Sequence, residues 1–173
     1  MGLFQRARGR DLRVVLLLGA ALSATACGDD DEKDTSSQTG ALCSSQMFEK
    51  YGEAAFIAVR DSIVEKALAA PTDKLGDSFQ NFATSSTPAG IQTFKDNLAA
   101  FLVMVYGGPS NYHGRSMQAA HAGLAITGDQ YDYFITEVVV PALSDNGVPA
   151  DDITGCFAPP VTDPAFKASI VGQ

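Results

Sequence analysis

One block of the chain, residues 107–127, holds the side chains best suited to chemistry. A double glycine and a proline end one helix there, and a loop with Tyr112 and Arg115 leads into a short helix that carries His121. Met117 precedes His121 by four positions, so both side chains lie on one helix face. An imidazole can ligate a metal or accept a proton. Taken alone, His121 also fits an ordinary helix histidine bonded to a backbone carbonyl.

The rest of the chain offers few groups for catalysis or metal binding. The whole chain has two histidines, both within this block, and three cysteines outside it, and their spacing does not form a zinc site. Two histidines leave little room for a Ser–His–Asp set, and the glycine pairs do not form a phosphate-binding loop. His113, the second histidine, falls between Tyr112 and Gly114 in a loop and is predicted to face water.

The elements that must position this block are predicted to be helices. Apolar residues recur with helical spacing, and we find no alternating pattern typical of an exposed sheet. The predicted helices are residues 47–51, 53–70, 75–82, 88–106, 116–122, 127–145 and 149–157. Thr127 and Gln130 have the spacing of a capping box, Pro141 predicts a kink, and the pair Pro159-Pro160 is expected to end the last helix. Short helices between long ones favour a small all-α domain with space for a flat cofactor.

The block that holds His121 resembles the proximal side of the haem pocket in group I truncated haemoglobins. The glycine pair at 107–108 and its spacing to the histidine match that family. Residues 48–52 resemble the family's opening, and residues 146–149 resemble its link to the last helix. The resemblance covers about residues 48–157 and implies a truncated globin-like fold, a two-over-two helical sandwich around haem b.

The resemblance implies roles for the residues of the block. His121 is the expected proximal ligand of the haem iron, since imidazole is the axial donor in globins. Met117 shares its helix face. Arg115 and Tyr112 fall where the family meets the haem propionates or the haem edge, and a guanidinium pairs well with a carboxylate. A solvated loop arginine is the alternative for Arg115.

Further pocket residues are implied on the neighbouring helices. Phe82 is expected to stack on the haem, with Phe79 as the alternative because the loop that follows is longer than usual. Phe94 and Leu98 are expected on the distal side, and Ile126 and Phe134 on the next helix. For these apolar residues, the alternative role is plain helix core.

The distal side departs from the family pattern at two positions. Many members hold dioxygen with a tyrosine and a glutamine, where this chain has Val64 and Leu98. Neither side chain can donate a hydrogen bond to a ligand oxygen. Because such a bond is worth about 1.5–3 kcal/mol, the pocket is expected to hold dioxygen weakly unless Tyr112, Asn97 or Gln92 points inward.

Three functions compete for such a chain. The first is a haem protein that reversibly binds oxygen, nitric oxide or carbon monoxide without turning over a substrate. The second is an enzyme, a nitric oxide dioxygenase or a weak peroxidase, which would need polar distal groups and a reductant. The third is a haem-free globin-like binding lipoprotein.

Residues 1–26 have the layout of a secretory signal. Four arginines precede an apolar run from Val14 to Ala26, which is too short for a bilayer that needs about 20 residues. Cys27 directly follows small residues, so the segment resembles a bacterial lipoprotein signal with a lipid on that cysteine. The chain is then exported and held at the cell envelope by this lipid. An ordinary secretory signal cut near Ala26 is the alternative.

The composition divides the remainder into a tether and a domain. Residues 27–42 are small, polar and acidic and are expected to be disordered, whereas residues 43–173 are long enough for a real core. The signal holds four arginines and one aspartate, so its removal takes the net charge from −8 to −11. An acidic chain of this kind excludes nucleic acid as a partner. The sequence leaves the oligomeric state open.

Cys43 and Cys156 lie near the two ends of the domain. Export would place them in an oxidising compartment, where a lone pair of cysteines favours a disulfide. Two separate buried thiols are the alternative.

Overall fold

The computed structural model describes residues 43–173, and every regular element in that part of the chain is helical. The helices are α1 Met47–Ala69, α2 Thr72–Leu75, α3 Ser78–Ser85, α4 Pro88–Val105, α5 Met117–His121, α6 Gly128–Tyr133, α7 Val140–Asp145, α8 Ala150–Asp152, α9 Ala158–Thr162 and α10 Pro164–Ala168. π-Helical segments join α6 to α7 (Phe134–Val139) and α8 to α9 (Ile153–Phe157). The predicted all-α class is confirmed.

The predicted signal, the tether and Cys27 lie outside the described residues. Within residues 43–173, no helix combines the length and the apolar character needed to cross a bilayer.

α1 is the central helix of the core and packs against α4 and α7. It breaks at Gly52, whose φ of 75° lies in the left-handed region, so the predicted end of the first helix is confirmed. After the break, one face of α1 is buried. Its buried apolar residues are Phe56, Val59, Ile63, Val64 and Ala67.

The glycine pair after α4 allows the helix end to touch the start of α1. Gly107 has a φ of 90°, and a Cβ there would lie 1.7 Å from the carbonyl oxygen of Ser45. A Cβ on Gly108 would lie 2.4 Å from Val103 and 2.7 Å from the ring of Phe48. Two glycines are therefore needed where α4 meets the amino end of the domain.

Prolines lie within two helical runs, α6 to α7 and α8 to α9, and end neither of them. Pro141 has no amide, and the helix widens into the π-helical segment Phe134–Val139 just before it, where the Val140 amide bonds the carbonyl of Ile135. The predicted kink thus takes the form of a π-helical segment. Pro159 and Pro160 were expected to end the last helix, and that prediction is wrong. The helical run continues from the π-helical segment Ile153–Phe157 through both prolines into α9, which ends at Thr162.

Two other boundaries differ from the sequence prediction. α3 extends to Ser85 through the stretch predicted as a loop, and the Thr84 and Ser85 hydroxyls donate to carbonyls of the preceding turn. The tail forms a true helix, α10, because the Asp163 carboxylate accepts from the amides of Ala165 and Phe166.

A disulfide between Cys43 and Cys156 closes the domain across 113 residues. It lies beside an aromatic cluster in which the ring centroids of Tyr106 and Phe157 are 4.8 Å apart. The Tyr106 hydroxyl donates to the carbonyl of Phe157 at 2.7 Å, and Ser44 donates to the carbonyl of Cys156. The bridge therefore fixes the start of the domain to the segment before α9.

We expect loss of this disulfide to destabilise the domain strongly. Closing a ring of this length is worth about 4–5 kcal/mol on the chain-entropy model. Urea unfolding of the Cys43→Ala/Cys156→Ala double variant, compared with the oxidised wild type, measures the difference. A reducing agent should lower the stability of the wild type and leave that of the double variant unchanged; equal stability of the two proteins would contradict the prediction.

Candidate functional site

A partly open cavity of about 500 Å³ lies between α1, α3, α4, α5, the π-helical segment after α6 and α10. This volume lies within the range of small-molecule and cofactor sites. All nine side chains that the sequence assigned to a cofactor site line it. They are Phe82, Phe94, Leu98, Tyr112, Arg115, Met117, His121, Ile126 and Phe134.

The helices around the cavity leave their apolar faces incompletely covered. α3, α4 and α5 contain no fully buried residue, although α4 carries a broad apolar face. Phe94, Leu98 and Phe101 on that face are half-buried and line the cavity. By contrast, the residues with which α1 lines the cavity, among them Ile63 and Val64, are buried. The uncovered faces meet a flat, apolar ligand better than they meet water.

His121 is held in one tautomer. Its Nδ1 lies 2.7 Å from the carbonyl oxygen of Met117, and a carbonyl can only accept, so Nδ1 carries the proton. The lone pair is then on Nε2, which has no hydrogen-bond partner within the described chain. The bond to a backbone carbonyl fits an ordinary helix histidine, but it is also the second contact that metal-ligating histidines make. Because the half-buried ring lines the cavity, its free nitrogen suits a ligand role there.

The loop before α5 forms the rim of the cavity. Tyr112 packs its ring against Phe101, with centroids 5.6 Å apart, and its hydroxyl donates to the carbonyl of Arg115 at 2.5 Å. The ring lies over Gly114, where a Cβ would approach the Tyr112 hydroxyl to 2.4 Å. The Arg115 side chain is exposed, lines the cavity and forms no ion pair with the described residues. His113 is exposed and is not among the lining residues.

Aromatic pairs form the wall where a planar ligand would stack. Phe79 stacks on Phe134 at 5.8 Å and 10°, and Phe82 meets Phe94 at 5.0 Å. Phe79 and Phe82 both line the cavity, so the choice of Phe82 over Phe79 stays a prediction.

The expected distal positions are apolar in the structure. Val64 is buried, Leu98 is half-buried, and both line the cavity. Of the three residues that might point inward, Gln92 donates to Asp96 on the surface and does not line the cavity. Tyr112 has its proton engaged at the rim, as described above. Asn97 is exposed but does line the cavity, so it is the one of the three with an amide to offer.

The other tyrosines of the cavity wall also have their protons engaged. Tyr51 donates to the carboxylate of Asp152, and Tyr131 donates to the carbonyl of Val161 at 2.5 Å. Burial raises the pKa of Tyr131 to about 12. Burial, helped by the hydrogen bond to Asp152, raises the pKa of Tyr51 to about 12 as well. Burial also raises the pKa of Tyr106. These phenols stay neutral up to alkaline pH and keep their protons directed at protein acceptors.

Sequence reasoning missed part of the wall. Val161, Phe166 and Ile170 line the cavity from the stretch after residues 149–157, the last helix that the sequence predicts. The spacing of four between Phe166 and Ile170 was the available signal, but a single apolar pair does not establish a helix period.

Comparison with known proteins identifies the family and the fold of this chain. A family model described as bacterial-like globin matches residues 46–161. A truncated haemoglobin variant from Tetrahymena pyriformis, solved in its Fe(III) form, is similar to this chain with a TM-score of 0.61 and 25% sequence identity. The similarity covers 74% of this chain and 99% of that one. No curated protein matches the chain.

Proposed function

Because this chain belongs to the bacterial-like globin family, we propose that it holds haem b through His121 and reversibly binds a diatomic gas. Haem supplies an iron that can take up dioxygen, nitric oxide or carbon monoxide. One observation carries the proposal: the side chains singled out around the lone imidazole all line one cavity, and that imidazole has a free ring nitrogen.

The protein's part in binding begins with His121. The Met117 carbonyl fixes the ring through Nδ1, which orients the ring and makes Nε2 the donor atom. Such a second contact also raises the basicity of the ligating nitrogen. Because Met117 belongs to the first turn of the same helix, α5 provides both the ligand and its support.

The rim supplies the group that faces the haem carboxylates. Arg115 is exposed at the cavity edge and has no carboxylate partner among residues 43–173. We assign it to a haem propionate, since a guanidinium binds a carboxylate through two parallel hydrogen bonds. Tyr112 fixes the backbone of Arg115 and covers the haem edge.

The pocket favours gas binding over an enzymatic role. By the resemblance, the chain has Val64 and Leu98 at the positions where many group I members carry hydrogen-bond donors, and the lining phenols are already bonded to protein acceptors. The described pocket therefore offers little to polarise dioxygen or to move a proton, both of which a dioxygenase or peroxidase requires. The haem-free alternative is disfavoured, because it would leave the apolar faces of α3, α4 and α5 in contact with water.

We place the protein outside the cytoplasm, anchored by a lipid on Cys27. The order of basic, apolar and small residues before that cysteine supports the anchor. The disulfide between Cys43 and Cys156 supports export, because such bonds persist in oxidising compartments. The anchor and the tether place the globin domain within reach of the membrane, where apolar gases concentrate.

We expect His121→Ala to lose haem binding. The variant lacks the axial nitrogen, so titration of the purified protein with haemin should give no sharp Soret band of the ferrous or ferric haem protein. His113→Ala is the matched control, because that ring is exposed and away from the cavity, and its spectrum should equal that of the wild type. Equal spectra for the wild type and both variants would contradict the assignment of the ligand.

Leu98→Gln should slow the release of dioxygen by about ten- to a hundredfold. The new amide can donate the hydrogen bond that the wild-type pocket lacks, worth about 1.5–3 kcal/mol for a partly charged acceptor. Stopped-flow displacement of dioxygen by carbon monoxide measures the rate. Leu68→Gln, a change to a 38% exposed leucine outside the cavity, is the control. An unchanged rate in Leu98→Gln would show that position 98 does not face the gas.

Cys27→Ser should abolish lipid attachment. In a bacterial host fed a labelled fatty acid, the wild type should carry the label and sediment with membranes, and the variant should do neither. Globomycin, which blocks the lipoprotein signal peptidase, should make the wild type accumulate as a longer precursor. An unlabelled wild type released in mature form would instead show an ordinary secretory signal.

A further inference from the structure

The chain continues past the family match into a segment that bonds to α5 and to the loop after it. The match ends at residue 161, whereas α10 and the turns after it form what we call the C-terminal segment, residues 164–173. Its helix is capped by Asp163 and is tied to α6 by Lys167, which lies 2.5 Å from the carboxylate of Asp132. The Lys167 ammonium also lies 5.4 Å from the ring centroid of Tyr131.

This segment closes one wall of the cavity. The ring of Phe166 stacks on Phe101 of α4, with centroids 6.0 Å apart and planes 18° apart. Ile170 is only 8% exposed and also lines the cavity. Because these two side chains belong to the cavity wall, displacing the segment would open the pocket to water.

Hydrogen bonds from the segment reach the chain on both sides of His121. Before the histidine, the Gln118 side chain donates from Nε2 to Oε1 of Gln173 at 3.0 Å. After it, the Ala125 amide donates to the main-chain oxygen of Gln173 at 3.0 Å, and the Gly172 amide donates to the Ile126 carbonyl at 2.9 Å. The Gln173 side chain also donates from Nε2 to the carbonyls of Ala168 and Val171 in its own segment, which fixes the side chain.

The loop that receives these bonds is strained. Ala125 has a φ of 50° and is the one non-glycine residue with positive φ among residues 43–173. An alanine in the left-handed region costs about 1–2 kcal/mol and persists only where its surroundings hold it. The bonds on Ala125 and Ile126 supply that restraint four and five residues after His121.

We propose that the C-terminal segment positions α5 and its imidazole and thereby sets how long haem stays in the pocket. The proposal rests on the assignment of haem to His121 and adds residues that touch neither the iron nor the gas. Gln173 and Gly172 are positioning residues, and they act through Gln118 and the loop at 125–126.

Two variants test the segment in the full-length protein. Gly172→Pro removes the amide that bonds Ile126 and cannot adopt the φ of 76° found there, so it should speed haem loss to excess apomyoglobin about tenfold. Gln173→Ala removes only the side-chain bonds and should speed haem loss several-fold. Gln92→Ala is the matched control, because that surface glutamine bonds Asp96 away from the cavity, and its rate should stay within twofold of the wild type.

Two further readouts separate positioning from general stability. The iron–histidine stretching band in resonance Raman spectra should shift or broaden in Gly172→Pro and Gln173→Ala while the thermal midpoint of Gln173→Ala stays near that of the wild type. Amide exchange at Ala125 should be slow in the wild type and fast in Gly172→Pro, with or without haem.

The outcomes distinguish the two proposals. A wild type without a Soret band would overturn the proposed function and, with it, the role in haem retention. A normal Soret band with unchanged haem loss in both variants would overturn the role of the C-terminal segment alone. Unprotected exchange at Ala125 in the wild type would overturn it as well.

Discussion

The apolar faces of α3, α4 and α5 cannot be covered by one another, and this constraint organises the domain. α4 is long and apolar, yet none of its residues is fully buried. Apolar area left in water costs about 25 cal/mol per Å². A flat ligand in the cavity offsets that cost for three helices at once. A bound haem therefore stabilises the fold as part of its core.

One part of the cavity wall is tightly packed. Phe56, Tyr106 and Phe157 line the cavity and form a buried aromatic cluster beside the disulfide of Cys43 and Cys156. The tyrosines of the cavity wall donate their hydroxyl protons to backbone carbonyls and, in one case, to a carboxylate. The cavity therefore receives ring surface and little free hydrogen-bonding capacity, which suits a porphyrin and leaves the gas with few partners.

Features that depend on neighbouring residues were predicted from the sequence. Contacts between residues far apart in the chain were not. The capping box of Thr127 and Gln130 and the break at Gly52 depend on neighbours in the chain, and both are confirmed. The effect of Pro159-Pro160 was misjudged because the helix continues through both prolines from a π-helical segment, and hydrophobic periodicity does not show π-helical turns. No further apolar residues continue the helical spacing of Phe166 and Ile170, so only the fold shows that they reach the cavity. All nine residues that the family resemblance assigned to the pocket line it.

The disulfide makes residues 43–156 a covalent ring, and the ring holds every helix from α1 to α8. A protease that cuts the exposed loop before α5 would leave both fragments attached to each other. The cleaved protein should stay assembled around the pocket and keep close to the mass of the intact chain until the disulfide is reduced. The stretch after Cys156 lies outside the ring, so trimming from that end is the one cleavage that could shed material from the wall of the pocket.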